Sequence, residues 1–263
     1  LTRTANRFGQ RHNGAAGVPG GGYQQLNIQN EGETIMSNEE SGIQEIRANR
    51  FVLEDENGKS RAELKMDEEG PVLVLYDENG KPRAGLSLLK GIPGLVLLNE
   101  NFNPLAILST DEDGPSLMLC DENGETRAKF AVDEDGPTLS LYDDKGNPLI
   151  KLVIFNDGPL LSLLDENGKL RAGMMVDKNG PSLALRDENG KQRAMLAASR
   201  EGPMLGLGDE NGNQSAGLSV FKDGPDLGLC DENGKLRTGI RVDKNGPSLA
   251  MRDEEEKVIW RIP

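Results

Sequence analysis

Gly58, Gly80, Gly124, Gly146, Gly168, Gly190, Gly212 and Gly234 fall on one lattice with a spacing of 22 residues. Each closes a copy of Asp-Glu-Asn-Gly-Lys or a near variant. A second lattice with the same spacing carries Gly-Pro at 70, 114, 136, 158, 180, 202, 224 and 246. A fixed period of this kind means one supersecondary unit copied in tandem, and the unit has to be understood before any single residue. The repeats account for almost every side chain and leave little over for chemistry.

Residues 73–88 show what the unit is. Apolar positions alternate on both sides of Asn79-Gly80, the strongest short-range signal for a β-hairpin with a type I′ turn. With that pair at the tip, Glu78 faces Lys81, Tyr76 faces Arg83, Leu75 faces Ala84 and Leu73 faces Leu86. Leu73, Leu75, Ala84, Leu86 and Leu88 then share one face, and Tyr76, Glu78, Lys81 and Arg83 the other. The Glu–Lys opposition recurs at 56/59, 166/169, 188/191, 232/235 and 254/257. The second turn is read from Asn179-Gly180-Pro181, which would pair Val176 with Leu183 and Met174 with Leu185. Pro181 has no N–H to close a two-residue turn, so an open or four-residue loop is expected there.

Ten copies, and about twenty short strands, follow over residues 43–263. The fold class is all-β: tandem hairpins in a closed or flattened antiparallel barrel or sheet, with a β-solenoid as the alternative. Turns alternately ten and twelve residues apart would stagger each hairpin by two residues, the shear a barrel needs. Twenty strands at that tilt enclose a ring about 40 Å across, whereas facing leucine layers fill only about 10 Å. The leucines therefore need a flattened sheet, a protein partner or an apolar ligand to cover them. The apolar interior is assigned to Leu73, Leu75, Leu86, Leu117, Leu119, Leu139, Leu141, Leu183, Leu185, Leu227 and Leu229, and the opposite face, rich in small residues, to the wet side, with a flat interaction surface as the other possibility. A solenoid would instead file Asp55, Asp77, Asp121, Asp143, Asp165 and Asp187 about 4.8 Å apart, an arrangement that demands bound cations such as calcium.

The unit lacks the Tyr/Gly spacing of MORN repeats and the Tyr-Asp…Gly-Arg signature of YD repeats. In plan it resembles the β-flower group, shallow barrels of repeated hairpins around an apolar channel. That resemblance covers residues 43–263 at the level of architecture, and it implies an apolar ligand such as a lipid.

The chemistry-bearing side chains point away from catalysis. Carboxylates sit at repeated turn tips in identical surroundings, the opposite of an acid–base pair whose pKa values must be pushed apart. No nucleophile elbow, P-loop or dinucleotide fingerprint occurs. No catalytic residue, cofactor or metal site is assigned, and the chain is not expected to be an enzyme. The recurring Arg61, Arg83, Arg127, Arg171, Arg193 and Arg237 read as a salt-bridged face, with an anion-binding stripe as the other possibility. A net charge of −14 argues against nucleic acid and anionic lipid. No apolar run is long enough for a membrane span. Cys120 and Cys230 stand at one repeat position and lack a Cys-x-x-Cys spacing. With no signal-peptide plan, a cytoplasmic location is expected. The leading expectation is a repeat scaffold or interaction protein of unknown partner, with self-association possible. A carrier of an apolar ligand and a calcium-stabilised surface solenoid are the alternatives.

Residues 1–42 are read apart, as a disordered leader. They hold Gly20-Gly21-Gly22, His12 and no repeat. Glu31 to Ile35 can be encoded as a purine-rich ribosome-binding site just ahead of Met36. Translation is therefore expected to begin at Met36, in a bacterial message.

Overall fold

The computed structural model describes residues 46–263, and the expectations for the leader lie outside them. The repeats form twenty strands: β1 (Arg50–Glu54), β2 (Ser60–Asp67), β3 (Gly70–Tyr76), β4 (Pro82–Leu89), β5 (Ile92–Leu98), β6 (Pro104–Asp111), β7 (Gly114–Cys120), β8 (Thr126–Asp133), β9 (Gly136–Tyr142) and β10 (Pro148–Phe155) in the first half. The second half holds β11 (Gly158–Leu164), β12 (Leu170–Asp177), β13 (Gly180–Arg186), β14 (Gln192–Ser199), β15 (Gly202–Gly208), β16 (Gln214–Phe221), β17 (Gly224–Cys230), β18 (Leu236–Asp243), β19 (Gly246–Arg252) and β20 (Val258–Ile262).

Every strand runs antiparallel to its neighbours in sequence, in a single meandering sheet. The parallel solenoid is thereby excluded. Nor is the sheet closed: β1 pairs with β2 alone and β20 with β19 alone.

The reason is in the registers. Leu73 opposes Leu86 across β3–β4, as expected. Across β4–β5, however, Leu86 opposes Leu95, and across β12–β13 Met174 opposes Leu183 rather than Leu185. The Gly-Pro turns are two residues tighter than anticipated, with Asp177 paired to Gly180 around a loop of only Lys178 and Asn179. That slip cancels the stagger of the other turns. Leu73, Leu86, Leu95, Leu108 and Leu117 line up straight across the strands. Without net shear the tilt that closes a barrel does not arise.

Glycine permits the tight turn. Gly158 has φ +130°, and a Cβ there would lie 1.9 Å from the Val176 carbonyl oxygen of the neighbouring strand. No side chain fits that approach.

The Asp-Glu-Asn-Gly turns also differ in type from the expectation. The Gly80 N–H donates to the Asp77 carbonyl (3.0 Å), and the Asp77 N–H to the Lys81 carbonyl (2.8 Å). Glycine has positive φ (Gly80, +77°) and asparagine does not, so this is a type I turn followed by a G1 bulge. The bulge shifts the pairing beyond Leu75–Ala84, and Tyr76 opposes Pro82 instead of Arg83. The inner leucine pairs keep the expected register because the bulge absorbs the difference before the strands begin. A two-residue loop with positive φ at both positions, the type I′ geometry, occurs instead at Lys90-Gly91 in the irregular third repeat.

Candidate interaction surface

The straight registers put three rows of apolar side chains on one face. The middle row is large throughout, running Leu64, Leu73, Leu86, Leu95, Leu108, Leu117, Phe130 and onward to Ile262. On one side of it leucines of the odd strands alternate with alanines of the even ones, as in Leu75–Ala84–Leu97–Ala106–Leu119–Ala128. On the other side, prolines of the odd strands oppose Met66, Leu88, Thr110, Val132 and Ile154.

This face is open. No apolar side chain among the described residues is buried. Of the eleven leucines assigned to an interior, Leu73 and Leu183 are half-buried. The other nine are exposed by between 37% (Leu227) and 53% (Leu86). The structure brings all eleven to one face and encloses none.

The opposite face is the better covered of the two, the reverse of the wet side expected for it. In β11, Leu161 and Leu163 are exposed, whereas Leu160 and Leu164 are half-buried and Ser162 is buried. Ser116 and Ser140 are buried on the same face. Small residues at mid-strand explain this, because larger neighbours fold over them. Leu170 reaches within 3.7 Å of where a Gly173 Cβ would sit, and Leu236 within 3.0 Å of the Gly228 one. The leucine rows have nothing comparable to lie beneath.

At the strand ends nearest the Asp-Glu-Asn-Gly turns, polar groups bind each other. Asp77 Oδ1 accepts from the N–H groups of Asn79 and Lys81, both at 2.9 Å, and the same pair of bonds recurs from Asp55 to Asp253. The second carboxylate oxygen takes the arginine six residues on: Arg61 donates Nε and Nη2 to Asp55 Oδ2 at 2.9 and 2.6 Å. Arg127, Arg171, Arg193 and Arg237 pair likewise with Asp121, Asp165, Asp187 and Asp231. Five of the six arginines are therefore part of a salt-bridged margin, and Arg83 acts on Asp77 through its charge.

Lysine is used differently from the Glu–Lys opposition read in the sequence. Lys59, Lys81, Lys169 and Lys235 donate Nζ to the glutamate carbonyl of the next turn along, at 2.9–3.2 Å. Each such bond ties one hairpin to its successor.

The Asp77 carboxyl is held below its ordinary value by the Lys81 N–H, against partial desolvation, with help from the Asn79 N–H. Asp55 and Asp165 follow the same pattern. For Asp121, Asp187, Asp209 and Asp231 desolvation is the largest influence and pushes upward, but the hydrogen bonds together outweigh it. Asp143 is lowered first by the Asn147 side chain. These oxygens are committed to their own turns. Antiparallel strands also set successive aspartate turns two strands apart, about 9.6 Å, and not in the close file that a parallel coil would make.

One cluster was not foreseen. Glu63, only 5% exposed, accepts from Tyr76 Oη at 2.9 Å and is flanked by Arg50 and by Lys65 Nζ at 3.2 Å. The Tyr76 bond lowers the Glu63 carboxyl, and burial raises the Tyr76 phenol. Its sequence signal was a glutamate in the column held by Gly85 and Gly173 in later repeats. The cluster closes the first hairpins on the covered face. Cys120 and Cys230, on that face too, are half-buried free thiols, and burial raises the Cys230 thiol. No helix among the described residues is long and apolar enough to cross a membrane.

The structure therefore defines a class: a tandem β-hairpin protein with one sheet and an apolar face that the described residues leave uncovered. No protein-family model matches the chain, and no curated protein matches its sequence. Among solved structures, the crystal structure of TcdB2-TccC3 is similar over 81% of this chain at 11% identity, with a TM-score of 0.19. The chain spans 12% of that protein's length. A likeness at this level carries no argument about fold or function.

Proposed function

We propose that the chain is a non-catalytic repeat scaffold that docks protein along its leucine face. One observation supports this most directly: an unbroken row of large apolar side chains crosses the whole sheet, exposed except at the half-buried Leu73, Leu183 and Leu249. Contiguous apolar patches beyond a few hundred Å² mark interaction sites. No enzymatic step enters the reading, since the repeated carboxylates serve their own turns. The two free thiols suit a reducing compartment such as the cytoplasm. A second reading, a carrier of lipid acyl chains, draws on the same face and on the resemblance to the β-flower group.

Native mass spectrometry of protein purified without detergent tests both. The scaffold reading expects mass above that of one chain and attributable to protein. Acyl chains recovered by organic extraction would replace it with the carrier. A bare single chain that binds neither protein nor an apolar dye would end both readings.

A further inference from the structure

We propose that the leucine face is covered by a second copy of the same chain, packed face to face about a two-fold axis parallel to the strands. The inference rests on the docking reading above and names the partner. Two observations carry it, the extent of the face and the shape of its flanking row.

The three rows run across twenty strands spaced about 4.8 Å apart and span four residues of about 3.3 Å rise. That is roughly 1,200 Å² of contour on each copy, above the about 800 Å² per partner of a stable interface. Two such sheets at the usual separation of about 10 Å would make an aligned β-sandwich.

The flanking row supplies the fit. It is large on odd strands and small on even ones. A two-fold axis along the strands lays this row on its own copy, and centring it between β10 and β11 sets odd strands over even ones. β4 then lies over β17, β5 over β16 and β6 over β15. Ala84 meets Leu229 of the second copy, Leu97 meets Ala216, and Ala106 meets Leu207. Each leucine enters a gap left by an alanine. Large meets large at the centre, where Ile150 faces Leu163, and at the two ends, where Leu53 faces Trp260. The interface is isologous and closes as a dimer. A lipid or an unrelated protein would have no use for this alternation, because either is served by apolar area alone.

The test is to fill the gaps in the chain of 263 residues with Ala84→Leu, Ala106→Leu and Ala216→Leu together. Ile150 already stands in this column, so the sheet itself accepts a larger side chain. Light scattering after size exclusion should give twice 28.5 kDa for the parent. The triple variant, with its β circular dichroism retained, should associate at least about ten-fold more weakly, as overpacking does, while binding more of an apolar dye. Should the triple variant not fold, Leu97→Ala with Leu207→Ala removes two knobs instead and should loosen the dimer similarly. A dimer indifferent to either set overturns the proposal. So does a parent that stays monomeric at every concentration. If that monomer still takes up another protein, the docking reading survives without its second copy; if its face binds nothing, both fall.

Discussion

The leucine face is bordered by two margins of turns, and the two are held by different physics. Along the Asp-Glu-Asn-Gly margin, side chains do the holding: an aspartate caps two N–H groups, an arginine caps the aspartate, and a lysine reaches the next turn. Along the Gly-Pro margin the backbone does it, through a two-residue loop and a glycine pressed against a neighbouring carbonyl. The irregular repeats show the consequence. Phe102 and Glu256 replace the turn glycine on the first margin, and the turn survives with φ of +66° and +61°. On the second margin Ile92 occupies the glycine position of the third repeat, and there the loop changes type, with glycine moved to Gly91. A margin built from hydrogen bonds tolerates a strained residue; one built on close approach must be rebuilt.

The largest expected difference between the margins is read by one substitution on each. Gly158→Ala places a Cβ against the Val176 carbonyl at a φ that L-residues rarely adopt. It should cost more than about 3 kcal/mol, beyond the strain of a single unfavourable φ/ψ alone. Gly168→Ala, at φ +74° with nothing within 4 Å, should cost only about 1–2 kcal/mol. Denaturant titration of the two variants measures the gap, and equal losses would mean that both margins are held alike.

Next in size is the aspartate cap. Asp165→Ala removes the acceptor for the N–H groups of Asn167 and Lys169 and the partner of Arg171. Asp165→Asn keeps the acceptor, as Asn99 does in the third repeat, where its Oδ1 takes the N–H groups of Asn101 and Asn103. Unfolding should therefore be easier for the alanine variant than for the asparagine one, and easier for both than for the parent. An asparagine variant as weak as alanine would mean that charge, not acceptance, holds the turn.

Acid should act on this margin and on the Glu63 cluster, whose carboxyl is also depressed. The leading aspartates of the margin's turns, Asp55, Asp77, Asp121, Asp143, Asp165, Asp187, Asp209 and Asp231, have carboxyls depressed in the folded chain. A depressed carboxyl contributes stability that is complete above its unfolded value, near 3.8, and is lost as pH falls through the folded one. Stability should hold from neutral pH to about 5 and decline below about 4. Hydrogen exchange followed down that range should open the Asp-Glu-Asn-Gly turns before the Gly-Pro turns. Simultaneous opening would show the margins to be coupled.

The leucine columns were legible in the sequence because a side-chain period of two with a repeat of 22 fixes which residues share a face, whatever the loops do. Leu73 with Leu86 and Leu75 with Ala84 needed nothing more. The Gly-Pro register was not legible. Pro181 argued for an open loop, but the chain turns within Lys178-Asn179, one residue before Gly180 and two before the proline, so the missing N–H is never needed there. From that two-residue error came the shear, and from the shear the barrel. The covering of the opposite face was hidden for another reason: Leu170 and Leu236 lie beside the bulges, and only the folded sheet shows them reaching over glycines. The candidate surface itself was named residue by residue, as an interior. What the sequence could not show was that no second layer among the described residues comes to meet it.

The tolerant margin also has room for a small gain. Phe102 holds a left-handed conformation that costs a non-glycine residue about 1–2 kcal/mol. Part of this is offset by Lys81, whose Nζ lies 5.9 Å from the ring centroid, a cation–π contact worth about 0.5–1 kcal/mol where exposed. Glycine would also add entropy to the unfolded chain. Phe102→Gly should therefore raise stability by no more than about 0.5–1 kcal/mol, with the Phe102 N–H bond to the Asn99 carbonyl retained by the new residue. A loss of stability instead would mean that the ring, and not the turn, is what the third repeat keeps.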